Sequence, residues 1–191
     1  IRNDERQSKI KPDYLSVTIA EGSTCNAACQ ICNAESSSLY AKLYGKERHE
    51  FTTIPLLKSI DSSRITQLSI SGGEPSITPS VIEFLANDIR SYAIQSLALT
   101  SNGTRLMPNL DKALEVVPKV EVTLSVDGMG PVYEYSRWPL KWDHLLETLS
   151  DYLKLRDKCP NLILTVLPAY SALNVFMFDQ VRDFASQYGM G

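Results

Sequence analysis

No apolar run in these 191 residues approaches the ~20 needed to cross a bilayer, and no charged-then-apolar leader opens the chain. The first residue is Ile1 rather than Met, so the expectation is a cytoplasmic piece whose natural start is missing. Basic residues are in deficit, 19 Lys and Arg against 22 Asp and Glu, for a net charge of −3. That excludes a broad electrostatic footprint for nucleic acid. Histidine is scarce: His49 and His144 stand alone, far in sequence from the cysteine-rich stretch, and read as ordinary surface or loop residues. Cysteine is scarce too. Four could form two disulfides, but three of them fall within eight residues, and 43% apolar content is enough to fold one domain without staples. A metal site in a reducing compartment fits better.

The dense stretch is Cys25-Asn26-Ala27-Ala28-Cys29-Gln30-Ile31-Cys32, a C-x3-C-x2-C loop that directly follows the alternating, β-branched run Leu15 to Ala20. Three thiolates on one loop hold a metal centre but leave one position of a four-ligand site for another group. Cys159, over a hundred residues away in Lys158-Cys159-Pro160, reads as a partly buried structural thiol.

Residues 1–14 are polar and aperiodic and read as an N-terminal arm; the domain runs from 15 to 191. Ala34 to Tyr44 has helical spacing with a stop at Gly45, and Lys46 to Ser63 stays open between a loop and a short helix. Strand signals recur at Ile65–Ile70, Ser96–Thr100, Val120–Val126 and Leu162–Leu167. Between and after them come helical patterns. One starts at Thr78-Pro79, with Thr78 as N-cap and Val81, Ile82, Leu85, Ile89 and Tyr92 facing inward. Others cover Pro108–Val117, a run from about Asp143, and a run from about Asn174 with Phe178, Val181, Ala185 and Tyr188 on one side.

Five strand-then-helix units predict a parallel α/β sheet with outer helices, because such crossovers wind one way. A doubly wound sheet uses the same ingredients. The placement of unusual residues favours a partial TIM-like barrel of the (βα)6 type with about five βα units visible. The cysteines, Gly72-Gly73-Glu74, Ser101-Asn102 and Ser125 to Asp127 all fall at the C-terminal ends of strands one to four, the rim on which repeated βα barrels build their sites.

The cysteine loop, the Ser71-Gly72-Gly73-Glu74-Pro75 turn, Ser101-Asn102-Gly103-Thr104 and Ser125-Val126-Asp127-Gly128 together resemble the radical S-adenosylmethionine (SAM) superfamily, over about Leu15 to the end. Tyr133 to Trp142 further resembles the branch carrying a C-terminal SPASM or twitch extension. The resemblance implies a 4Fe-4S cluster on Cys25, Cys29 and Cys32, with SAM on the open iron and a 5′-deoxyadenosyl radical as the reactive product. It also implies a one-electron donor such as flavodoxin or ferredoxin. Gly73 carbonyl and Glu74 carboxylate are the expected acceptors for the SAM amino group, with Gly72 in the same turn. Ser101, Asn102, Ser125 and Asp127 are expected to reach the ribose and the methionine carboxylate, although each alone also suits a turn. Arg137, expected in a loop, reads either as a carboxylate clamp or as a surface ion pair. Ile31 stands where the family commonly has an aromatic residue, which leaves a backbone contact with adenine. Val166 and Leu167 are expected either against adenine or in the core.

The substrate expected from that branch is a peptide or protein, with a small molecule or nucleoside as the alternative. A non-catalytic zinc or iron–sulfur module, completed by Cys159 or a histidine, is the reading from a different class. Family barrels have a sixth βα unit, so the sequence also predicts an exposed, apolar fifth strand and a missing C-terminal part.

Overall fold

Strand residues alternate between apolar and small polar, and that alternation decides the architecture. In the computed structural model, which describes residues 14–48 and 50–191, five strands form one sheet. They are β1 (Leu15–Glu21), β2 (Ile65–Gly72), β3 (Ser96–Ser101), β4 (Lys119–Leu124) and β5 (Leu162–Val166). The arm expected over 1–14 lies outside the described residues except for Tyr14, and so does His49. Every neighbouring pair is parallel and the spatial order is β1-β2-β3-β4-β5. A doubly wound sheet reverses direction at a switch point. Here the strands progress one way without reversal, the winding of a barrel.

The helices are α1 (Ser38–Leu43), α2 (Ile54–Leu57), α3 (Pro79–Glu83), α4 (Leu110–Leu114), α5 (Pro131–Ser136), α6 (Trp142–Lys158) and α7 (Phe178–Gln187). None is long and apolar enough to cross a membrane among the described residues. Their apolar faces pack on one face of the sheet: Leu68, Ile70, Leu97, Leu99, Val120, Val122, Leu124 and Leu164 are buried in one cluster with Leu85, Leu145, Leu149 and Tyr152. At ~1.5–3 kcal/mol for each large aliphatic side chain, that face carries most of the fold's stabilisation. The opposite face is lined by small or polar residues. Thr100, Thr123 and Thr165 stand opposite one another across β3, β4 and β5, with Ala98 beside Glu121 one pleat below. All five are only half-buried. A closed barrel fills this space with bulky branched side chains; this sheet leaves a hydrophilic inner face.

Several helix boundaries differ from the sequence expectation. α1 begins only at Ser38, because Ser37 is the N-cap, accepting from Tyr40 N–H at 3.1 Å. Thr78 holds the N-cap position of α3, but its hydroxyl donates to Glu74 O at 2.9 Å and makes no cap hydrogen bond. After Glu83 the helix widens into a π-turn over Phe84–Asp88 and then tightens to a 3₁₀ turn. Val81, Leu85 and Ile89 are buried as expected, while Phe84 also faces inward, 1% exposed, and Ile82 is only half-buried. α5 was not foreseen from sequence. Phe178, expected inward, is 49% exposed at the start of α7 and contacts the Tyr170 ring.

β5 is an outer strand, as expected, with β1 at the opposite edge, and Ile163 is 39% exposed. On its free side Gly191 N–H donates to Leu164 O at 3.2 Å and Val166 N–H donates to Gly191 O at 2.9 Å, the pattern of a parallel ladder.

Candidate active site

The cysteine loop is held from four sides. From below, Ser38 Oγ both accepts from Cys25 N–H and donates to Cys25 O, each at 3.1 Å, and Ser37 Oγ donates to Ala27 O. From β2, the glycine turn closes on the loop: Gly73 N–H donates to Gly22 O at 3.1 Å and Glu74 N–H to Thr24 O at 2.7 Å. This approach requires glycine, since a Cβ on Gly73 would lie 2.3 Å from Thr24 O, and one on Gly72 (φ +132°) 2.5 Å from Glu21 O. From β3, Asn102 Nδ2 donates to Asn26 Oδ1 at 2.8 Å while Asn26 Nδ2 donates to Thr104 Oγ1 at 3.0 Å. From α5 and the residues after it, Ala28 N–H donates to Trp138 O at 2.7 Å and Gln30 N–H to Ser136 O at 2.8 Å.

The result is a cleft of about 220 Å³ at the C-terminal ends of β1 to β4. All three cysteines line it, with Ile31 at the mouth, and so do Ser71, Gly72, Gly73, Thr100, Ser101, Asn102, Ser125 and Arg137. Most of the residues expected from sequence are therefore brought together. Glu74, Asp127, Val166 and Leu167 do not line the cleft. Val166 is 9% exposed and borders a separate recess beside α7, and Leu167 is 57% exposed.

Glu74 and Asp127 sit just behind the lining. The Glu74 carboxylate is fully buried and accepts from Ser101 Oγ at 2.8 Å, Asn102 N–H at 2.6 Å and Ser76 N–H at 3.0 Å. It fastens the β2 turn to the end of β3. Asp127 Oδ1 accepts from Ala169 N–H at 2.8 Å, and Oδ2 lies 2.9 Å from Arg137 Nε. Arg137 is not in a loop on the surface: it caps α5, is 8% exposed, and its ion pair with Asp127 is buried. Its Nη1 lies 4.0 Å from Cys29 Sγ.

Asn26, Ser37 and Thr104 were given no role from sequence, yet they fasten the loop. The signals were Asn26 standing between two cysteines and Thr104 closing the Ser101-Asn102-Gly103-Thr104 motif. Cys159 takes the expected structural role, packed against the core at the C-cap of α6, where the chain enters β5 from the end of the sheet opposite the cleft. His144 is exposed on α6, with Nε2 2.7 Å from Thr104 O.

Burial pushes the Cys25 thiol up to about 11, and burial also raises Cys29, against the opposing pull of the Arg137 guanidinium. The apo loop therefore holds these thiols protonated at neutral pH, and a metal must displace those protons to bind. Among the described residues no three His, Cys, Asp or Glu side chains are close enough to share a single metal ion. A structural zinc needs all its ligands at ~2.0–2.3 Å from one ion. An iron–sulfur cube takes each thiolate on a different iron, so three separated thiols on one cleft wall fit it better.

An open parallel α/β barrel segment with three thiols on its C-terminal rim is the scaffold of an iron–sulfur protein. Residues 17–142 match the family described as "4Fe-4S single cluster domain", and the chain belongs to that family, within the radical SAM superfamily. It is 26% identical over 179 residues to a GTP 3′,8-cyclase of Alkaliphilus metalliredigens, covering 91% of this chain and 52% of the relative. The chain thus spans about half the length of that relative. Among solved structures, Streptococcus suis SuiB bound to S-adenosylmethionine superposes with a TM-score of 0.63 at 14% identity, over 93% of this chain and 39% of SuiB. Native anSMEcpe with bound AdoMet and Cp18Cys peptide gives 0.57 at 17% identity, over 91% and 47%. Both share the fold.

Proposed function

We propose that this chain is the SAM-cleaving core of a radical SAM enzyme. The observation that carries the reading is the convergence of the three loop thiols, the Gly72-Gly73 turn and the ends of β3 and β4 on one cleft. Cys25, Cys29 and Cys32 would hold a 4Fe-4S cluster. When bound, the cluster supplies one electron that cleaves SAM to methionine and a 5′-deoxyadenosyl radical, which takes a hydrogen atom from the substrate. The protein's part is placement. The Gly73 carbonyl presents an acceptor to the SAM ammonium, while Glu74 acts from behind by fixing the turn. Ser125 offers a hydroxyl for the ribose or carboxylate, and Asn102, whose side chain is engaged by Asn26 and Thr104, holds the loop in register. Ile31, 49% exposed at the cleft mouth, offers its backbone and an apolar side chain to adenine.

The substrate reading that we favour is a peptide or protein, in the branch with a SPASM or twitch extension. Two observations support it. The Tyr133–Trp142 segment that resembles that branch grips the cysteine loop through Ser136 and Trp138. An exposed apolar row, Leu167, Tyr170, Val175 and Phe176, follows β5 on the same rim as the cleft. A second reading, a nucleotide or other small molecule, is favoured by the sequence relatives named GTP 3′,8-cyclase. The electron donor would be a small redox protein such as flavodoxin or ferredoxin.

The test is anaerobic reconstitution followed by iron analysis and SAM binding. About four irons per chain, with SAM changing the electron paramagnetic resonance (EPR) spectrum of the reduced cluster, is the expected result. Zinc in place of iron, or a full cluster indifferent to SAM, would remove the reading. Adding a candidate peptide or GTP to the loaded protein separates the substrate classes by which one accelerates 5′-deoxyadenosine release.

A further inference from the structure

Arg137 is fixed against one cysteine of the three. The Ala28 and Gln30 N–H groups, on either side of Cys29, bond to Trp138 O and Ser136 O, on either side of Arg137, at 2.7 and 2.8 Å. This backbone bridge sets Cys29 opposite Arg137 and fixes their register. The side chains then meet: Nη1 is 4.0 Å from Cys29 Sγ, long but within the range of an N–H···S bond. The other side of the guanidinium is set by Asp127, whose Oδ2 lies 2.9 Å from Nε in an ion pair not aligned as a hydrogen bond. Asp127 is itself anchored by Ala169 N–H at 2.8 Å, so the loop after β5 contributes to the aim of the cation. The guanidinium is a cation held out of water, 8% exposed.

We propose that Arg137 is a positioning residue that sets the reduction potential of the cluster through the Cys29 thiolate, rather than a clamp for the SAM carboxylate. The inference rests on the cluster assignment made above. Reduction adds negative charge to the cluster, and a fixed cation with an N–H aimed at one of its sulfurs stabilises that state, moving the potential up. Low local dielectric strengthens the effect, and of the three thiols it is Cys29 that the guanidinium contacts. Asp127 moderates it by offsetting part of the charge.

The experiment is an EPR-monitored redox titration of the reconstituted protein without SAM. Arg137→Met is expected to lower the equilibrium constant for reduction at least tenfold, a midpoint ~59 mV more negative for one electron. Arg137→Lys, which keeps the charge without the fixed fork, is expected to fall between Met and wild type. Asp127→Asn, which leaves the guanidinium uncompensated, is expected to shift the midpoint the other way. Should Arg137→Met load no cluster, Arg137→Gln carries the same test with the same sign and threshold. An Arg137→Met or Arg137→Gln midpoint equal to wild type, with SAM binding weakened, would overturn the inference in favour of the carboxylate clamp. A wild-type protein that loads no iron–sulfur cluster overturns the functional reading and this inference together. A loaded, SAM-cleaving protein with an unmoved midpoint overturns this inference alone.

Discussion

Glu74→Ala removes one acceptor from three buried donors at once. Ser76 N–H, Asn102 N–H and Ser101 Oγ–H all end on this carboxylate, and the side chain is wholly inaccessible to water. The two backbone donors belong to elements that cannot turn away, and the serine hydroxyl already accepts from Gly103 N–H at 3.1 Å. A buried donor left without a partner costs ~1–3 kcal/mol, so the two backbone donors alone are expected to destabilise the apo protein by about 2–6 kcal/mol. Against a total of ~5–15 kcal/mol this is severe. With a urea slope of ~2 kcal/mol/M it lowers the midpoint by about 1–3 M. Glu74→Gln keeps the shape and one oxygen, but turns an N–H toward a donor, and should lose about half as much. Urea denaturation of the metal-free protein, followed by circular dichroism, reads both variants without involving SAM. If both stay within ~0.5 kcal/mol of wild type, the carboxylate is not a fastening between β2 and β3, and the separation drawn between Gly73 and Glu74 is wrong.

Gly73→Ala places a Cβ 2.3 Å from Thr24 O and should prevent the turn from closing on the cysteine loop, read as iron content reduced severalfold after reconstitution. Asn26→Ala breaks the bonds to Asn102 and Thr104; a loss of about 1–3 kcal/mol and faster loss of iron to a chelator are expected, although every cysteine is intact. Cys159→Ser should leave iron content unchanged, because that thiol packs at the far end of the sheet. Glu21 predicts an acid limit. Burial pushes its carboxyl up, but the hydroxyls of Ser80, Thr52 and Thr53 and the Thr53 N–H together hold it below its ordinary 4.5. A depressed folded-state value gives stability that is present above the unfolded value and lost as the pH falls through the folded one. The melting temperature should therefore drop as the pH falls below about 4.5, and Glu21→Gln should be less stable at neutral pH with a flatter acid limb.

The strands were legible because each alternates cleanly: Leu97-Ala98-Leu99-Thr100 declares one buried and one open face, and a strand end follows within a residue or two. The cleft was legible for the same reason, since residues at successive strand ends must share a rim. The helix after β2 was legible in its inward face, since Val81, Leu85 and Ile89 are buried as the spacing implied, but not in its pitch, because nothing in the pattern marks the π-turn at Phe84–Asp88. α5 escaped notice because its six residues, Pro131 to Ser136, are too few to show a period. With it escaped the burial of Arg137, which depends on a backbone bridge to the cysteine loop that no local pattern encodes. Glu74 shows a related limit. Its position in the glycine turn was plain, but whether its carboxylate faced the cleft or turned toward β3 depended on donors 27 and 28 residues later.

The most direct test is to reconstitute the protein anaerobically, reduce it with SAM present, and measure 5′-deoxyadenosine and methionine. Equal amounts of the two from wild type and none from Cys29→Ala are the expected result. A wild-type protein carrying about four irons in a reducible cluster that nevertheless releases neither product would contradict the assignment of the cleft to SAM.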